Sequence, residues 1–167
     1  GLPVIVLQTP AEELALLQAQ SSAGPQELRR FPGRGQSMDW PNCFGPVVSD
    51  LAGDGGRQLL YATAAPEGCA RFAASDLMGK ELWHHDFPAI PGTAPVWNTG
   101  GIILWQTGHF TDRQRRDVLV TVRRTIMHSD ETYLLSGRDG SEVWRRTSQI
   151  SGRGVGGQPF AVADFDG

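Results

Sequence analysis

The feature that most constrains what this chain folds into is that it repeats itself. The stretch Tyr133-Leu-Leu-Ser-Gly-Arg-Asp-Gly140-Ser-Glu-Val-Trp144-Arg-Arg follows the same order as Phe72-Ala-Ala-Ser-Asp-Leu-Met-Gly79-Lys-Glu-Leu-Trp83-His-His: aromatic, Gly, Glu, aliphatic, Trp. Trp83 and Trp144 mark the same place in successive copies. Each copy reads as two short strands about a glycine turn, a hairpin. A second unit precedes each hairpin. Val47-Val-Ser-Asp50-Leu-Ala-Gly-Asp54-Gly55-Gly-Arg-Gln58-Leu-Leu-Tyr runs from an apolar strand through an Asp/Gly turn into another apolar strand. Trp105-Gln-Thr-Gly-His109-Phe-Thr-Asp112-Arg-Gln-Arg-Arg-Asp117-Val-Leu-Val keeps that order, and Phe160-Ala-Val-Ala-Asp164-Phe-Asp166-Gly167 begins it again. Asp50, His109 and Asp164 hold equivalent places, separated by nearly the same interval as the two tryptophans. Units of this length cannot bury an apolar face alone, so they stack and bury one another's.

The start of the chain belongs to the same series. Gly1-Leu-Pro-Val-Ile-Val-Leu7 resembles the exit from an Asp/Gly turn, and Gly24-Pro-Gln-Glu27-Leu28 matches Gly79 and Gly140 with their following Glu and aliphatic. Residues 9–20 carry a competing signal: Thr9 as an N-cap, Pro10 at the first helical position, then Glu12, Glu13 and helix formers. The repeat instead predicts a strand over 13–18, and its weak strand propensity marks it as the least regular of the set.

Four antiparallel strands per unit, recurring with a period of about 60 residues, is the grammar of a β-propeller blade. The expected fold is therefore all-β, a fragment of a β-propeller of about three four-stranded blades. Residues 1–36 are the remainder of a blade lacking its first strand. Residues 43–92 and 97–150 are two full blades, and 157–167 open a further one. Both ends fall inside the same recurring loop. Val47, Leu59, Tyr61, Ile103, Val118, Val120 and Phe160 are expected to face neighbouring blades, with Trp83 and Trp144 closing the outer edge. Glycine fits this plan, with 21 Gly and 11 Pro among 167 residues, an excess that opposes long helices and sits in the turns and linkers.

The loops Asp50-Leu-Ala-Gly-Asp54-Gly55 and Asp164-Phe-Asp166-Gly167 resemble the FG-GAP or VCBS repeats of integrin-alpha-like propellers. The hairpins ending in Glu81-Leu-Trp83 and Glu142-Val-Trp144 are similar to quinoprotein-like propeller repeats. In the first family, acids at loop positions one, three, five and nine imply Ca²⁺. Here these are Asp50, Ala52, Asp54 and Gln58 in one loop. They are His109, Thr111, Arg113 and Asp117 in the next, where an arginine opposes a cation and Asp117 is expected to accept loop amides instead. The candidate metal ligands are thus Asp50, Asp54, Asp164 and Asp166, against the alternative that Asp and Gly simply make the turns.

Cys43, before the first strand of its blade, and Cys69, between the second and third strands, fall on one end of an up-and-down blade. They are a candidate disulfide, the alternative being two thiols; a disulfide points to an extracytoplasmic location. Gly152-Arg-Gly154-Val-Gly-Gly157 matches a dinucleotide fingerprint but precedes a strand where the fingerprint follows one. His84-His85 and His109 lack zinc spacing, and His128-Ser129-Asp130 is turn chemistry on a loop tip. A net charge of −3 gives no field for nucleic acid, and no apolar run approaches the ~18 residues of a membrane span. Arg113, Arg115, Arg116, Arg123, Arg124, Arg145 and Arg146 give one blade a basic character, read as a solvated face or a patch for an acidic polysaccharide. No convergent acid, base and nucleophile set is visible. The expected function is a noncatalytic binding or scaffold segment displaying loops to a protein or carbohydrate, with further blades or self-association completing the ring. The alternative is part of a propeller enzyme, a polysaccharide lyase or a quinoprotein dehydrogenase. A purely structural spacer that pairs with itself is a third class.

Overall fold

A computed structural model describes residues 4–8, 13–18, 24–32, 47–65, 70–88, 103–124 and 129–149. All regular structure among them is β. The strands are β1 (Val4–Gln8), β2 (Glu13–Gln18), β3 (Gln26–Pro32), β4 (Val47–Ser49), β5 (Gln58–Ala64), β6 (Ala70–Asp76), β7 (Glu81–Phe87), β8 (Ile103–Gly108), β9 (Asp117–Arg124), β10 (Ser129–Leu135) and β11 (Glu142–Gln149). They form one three-stranded sheet, β1-β2-β3, and two four-stranded sheets, β4-β5-β6-β7 and β8-β9-β10-β11. Every pairing is antiparallel between sequence neighbours. The conflict over residues 9–20 resolves toward the strand: Glu13–Gln18 is β2, because Leu14 and Leu16 are fully buried on one side of it and this burial outweighs helix propensity.

The three sheets share a register. The outermost pair of each carries a β-bulge at the same place: Leu16↔Arg29 then Leu17↔Glu27, Ala74↔Trp83 then Ser75↔Glu81, Leu134↔Trp144 then Leu135↔Glu142. The residues skipped are Leu28, Leu82 and Val143. Each hairpin turns about a glycine with positive φ, at Gly24 (81°), Gly79 (74°) and Gly140 (71°). There a side chain would be strained by about 1–2 kcal/mol. Glu27, Glu81 and Glu142 each meet a side chain three residues on: Arg30 and Arg145 as ion pairs with Glu27 and Glu142, and the His84 ring with Glu81.

The sheets stack, and alternation along each strand divides their residues between two interfaces. Leu14 and Leu16 of the first sheet pack on Leu59, Tyr61 and Ala73 of the second, with Val6, Leu28 and Leu77 at the margin. The opposite face of the second sheet presents Leu60, Ala62, Phe72, Ala74, Trp83 and Phe87 to Trp105, Val118, Val120, Val122, Tyr133 and Leu135 of the third. Leu59, Tyr61, Val118 and Val120 therefore face neighbouring sheets as expected. Phe72 is wholly buried between Trp83 (centroids 6.1 Å) and Trp105 (5.1 Å), and Phe87 lies 4.8 Å from Tyr133. Side chains of this size each gain about 1.5–3 kcal/mol on full burial. The two hairpin tryptophans, expected to play one role, differ: Trp83 is 7% exposed and Trp144 44%. The difference is tertiary, since Trp83 is covered by the third sheet and no described residue covers Trp144.

Candidate functional site

The loops that follow β4 and β8 meet at one end of the second and third sheets. Each is built by its own side chains. Asp50 accepts the amides of Gly53 (2.7 Å, Oδ1) and Gly55 (2.9 Å, Oδ2), and Asp54 Oδ1 accepts that of Gly56 (2.7 Å). Gly53 and Gly55 have φ of 71° and 84°, which lets the backbone curl around the carboxylate. Gln58 Oε1 closes the loop by accepting the Leu51 amide (2.8 Å). In the second loop the amide and hydroxyl of Thr111 both donate to Asp117 Oδ2 (2.9 and 2.7 Å), and Asp112 accepts the Gln114 amide (2.7 Å). Asp117 is buried, as its role as an acceptor of loop amides requires, and its other oxygen faces the Gly137 amide at 3.4 Å.

The loops are also locked to each other. The Arg116 amide donates to Leu51 O (3.0 Å). Gly53 lies against the Gln114 carbonyl and Gly137 against the Arg116 carbonyl, each too close to admit a Cβ. Leu51 is anchored in the core between the sheets.

Between the loops lies a cleft of about 450 Å³ lined by Ser49, Asp50, Thr107, His109, Gln114 and Arg116, with Val48 and Gly53 at its edge. His109 Nδ1 is 3.0 Å from Arg115 O. A carbonyl only accepts, so Nδ1 is the donor in this contact and Nε2 is the ring atom left to face the cleft. Arg116 is exposed. The Ser49 hydroxyl is buried in the wall with no hydrogen-bond partner among the described residues. Asp50 and His109, equivalent in the repeat, thus come to opposite sides of one cleft. The arginine run contributes a single member, Arg116. Arg146 lies elsewhere, on the open face of the third sheet, and Arg145 pairs with Glu142.

The other residues singled out in the sequence take structural places or lie outside the described residues. His84 Nδ1 contacts Glu81 at 2.7 Å. His85 is half-buried against Phe87 (5.1 Å) and Tyr133 (5.6 Å), and this burial lowers its pKa below the usual 6.5. Cys43, Cys69, His128, the Gly152–Gly157 segment, Phe160, Asp164 and Asp166 lie outside the described residues. Among the described residues no three His, Cys, Asp or Glu converge as a metal group. In the Asp50 loop the amides of Gly53 and Gly55 point at the carboxylate, so the loop in this conformation is a ring of donors around an anion, the inverse of an oxygen cage for Ca²⁺.

Two contacts that matter were not legible in the sequence. Arg29 donates from Nη1 to the Met78 carbonyl of the next sheet's hairpin turn (2.7 Å), and Trp83 donates from its indole to the Gly137 carbonyl of the sheet after (3.0 Å). Arg29 and Trp83 share a register position, but nothing local shows that either side chain reaches a carbonyl of the next sheet. The chain matches no protein-family model, no curated protein and no solved structure.

Proposed function

We propose that this chain is a noncatalytic binding segment of an FG-GAP/VCBS-like β-propeller and that the cleft between the Asp50 and His109 loops takes an acidic carbohydrate. The observation that carries this is a cleft whose walls are braced by backbone contacts between the loops and whose exposed groups suit a polyol bearing a carboxylate. The guanidinium of Arg116 matches a carboxylate in geometry and charge. Thr107, Gln114 and His109 Nε2 supply the mix of donors and acceptors that sugar hydroxyls require. Because the loops are already braced, binding costs little ordering entropy. An extracytoplasmic location, where such polymers occur, belongs to the same proposal.

Isothermal titration with an oligogalacturonate and with an uncharged oligoglucan tests it. Binding of the acidic sugar alone, weakened about tenfold or more in Arg116→Ala by loss of a charge-assisted contact, is the expected result. Equal affinity for the two sugars, or no binding of either, overturns it. Weak Ca²⁺ binding by the Asp50 and Asp54 loop is a separate proposal. The cation would compete with the Gly53 and Gly55 amides for Asp50, so Ca²⁺ at millimolar concentration is expected to raise the melting temperature and Asp50→Asn to abolish the rise. A melting temperature indifferent to Ca²⁺ rules it out.

A further inference from the structure

The residue of the cleft that the repeat marks as exceptional is His109. It stands in the place of Asp50, and the two side chains hold their loops by opposite chemistry. Asp50 accepts the amides of Gly53 and Gly55, whereas His109 donates from Nδ1 to the Arg115 carbonyl. A neutral ring protonated at Nδ1 makes that bond, and so does a doubly protonated one. The ring's place in the loop is therefore indifferent to its charge. A proton gained or lost changes only Nε2, the atom left to the cleft: without it Nε2 accepts, and with it Nε2 donates from a cation.

The charges around the ring decide what that proton does. Among the described residues, the charged side chains that line the cleft with His109 are Asp50, from the loop after β4, and Arg116, from the loop after β8. Their charges cancel. The other acids of the two loops hold backbone: Asp54 accepts the Gly56 amide, Asp112 the Gln114 amide, and Asp117 the amide and hydroxyl of Thr111. Arg57, Arg113 and Arg115 are exposed and are not among the lining residues. With a neutral imidazole the cleft has no net charge. With a protonated one it is cationic, and a bound carboxylate finds a second charged donor beside Arg116.

We propose that His109 sets the cleft's preference for an acidic sugar: protonation at Nε2 makes the cleft cationic, so a sugar carboxylate is bound more tightly in weakly acidic than in weakly basic solution. This rests on the reading of the cleft as a carbohydrate site and names the residue that selects for charge there. Histidine is the side chain whose charge changes between about pH 5 and 8, whereas sugar carboxylates stay ionised across that range. Exchanging a neutral hydrogen bond for a charged one changes affinity about tenfold.

Isothermal titration of the protein with oligogalacturonate at about pH 5.5 and pH 8 tests this. The wild type is expected to bind about tenfold more tightly at the lower pH. His109→Gln keeps an amide that donates to the Arg115 carbonyl and cannot gain charge, so its affinity is expected to be the same at both. His85→Phe, which removes a titrating group buried away from the cleft, is expected to keep the slope. Repeating the titration near neutral pH in buffers of different ionisation enthalpy counts protons, and uptake on binding is expected in the wild type and absent in His109→Gln. A wild-type affinity indifferent to pH overturns the proposal, as does a slope that survives in His109→Gln or is lost in His85→Phe, or binding without proton uptake. Tight binding with a flat profile removes the role of His109 alone. No binding at either pH removes the carbohydrate reading of the cleft and this inference with it.

Discussion

The indole of Trp83 reaches out of the second sheet and donates to the carbonyl of Gly137 in the third, 3.0 Å away and distant along the chain. The glycine at the other end of that turn, Gly140, leaves space for the ring. A strand-end tryptophan and a hairpin turn therefore act as one latch between sheets.

Removing the two halves of the latch is expected to have different costs. Trp83→Phe keeps much of the packing against Phe72 and loses the hydrogen bond, leaving a buried carbonyl unpaired, for about 1–3 kcal/mol. Gly140→Ala combines positive-φ strain with a steric clash on Trp83 and is expected to cost more than Gly24→Ala, where φ is 81° but nothing lies within 4 Å. Urea denaturation of the three variants measures the order.

The contact between the two loops of the cleft is tested within a single loop. Gly53 and Gly55 both have positive φ, but a Cβ at Gly53 meets the Gln114 carbonyl whereas Gly55 faces open space. Gly55→Ala is expected to cost about 1–2 kcal/mol of conformational strain. Gly53→Ala is expected to exceed that and to speed hydrogen exchange at the Arg116 amide, whose bond to Leu51 O ties the loops together.

Asp117 links its loop to the neighbouring hairpin from a buried position, accepting from Thr111 twice and facing the Gly137 amide. Asp117→Ala strands those donors and is expected to destabilise the fold by about 2–3 kcal/mol. Asp117→Asn, which keeps one acceptor oxygen, is expected to recover part of it in the same denaturation assay.

Acidification is expected to act first through His85. Burial against Phe87 and Tyr133 holds its pKa below 6.5, with the Gly140 backbone, Glu142 and Asp86 opposing in part. The unfolded chain takes up the proton before the folded one does. Stability is therefore full above about pH 7 and falls as pH drops through 6.5 toward the folded value, then levels until the carboxylates titrate. Asp86, held below 3.8 by its hydrogen bonds from Arg71, loses its contribution only as pH falls through its own lowered value. Denaturation midpoints between pH 8 and 4 should show the His85 slope, and His85→Phe should abolish it.

Much of the architecture was legible because strand periodicity and turn chemistry are local. Alternating apolar positions such as Leu59 and Tyr61, or Val118 and Val120, mark strands whatever surrounds them. Gly24, Gly79 and Gly140 mark hairpins because only glycine turns there without strain. Recurrence of the pattern also decided 13–18 against its own helical propensity, and the structure agrees. The acceptor role of Asp117 was readable from its place at the end of an Asp/Gly loop, once Arg113 had made a metal there unfavourable.

What sequence could not show was which of two equivalent residues is covered. Trp83 and Trp144 have the same neighbours along the chain, yet one is buried and the other 44% exposed. Burial is a property of what stacks against a residue and has no local code. The cleft is of the same kind: Asp50 and His109 are a full repeat apart in the chain, and only the packing of one sheet on the next brings their loops into contact. The repeat alone determined that the chain would be built of stacked β units. Tertiary structure decided which faces found partners, because an apolar face gains its stability only from the surface that removes it from water.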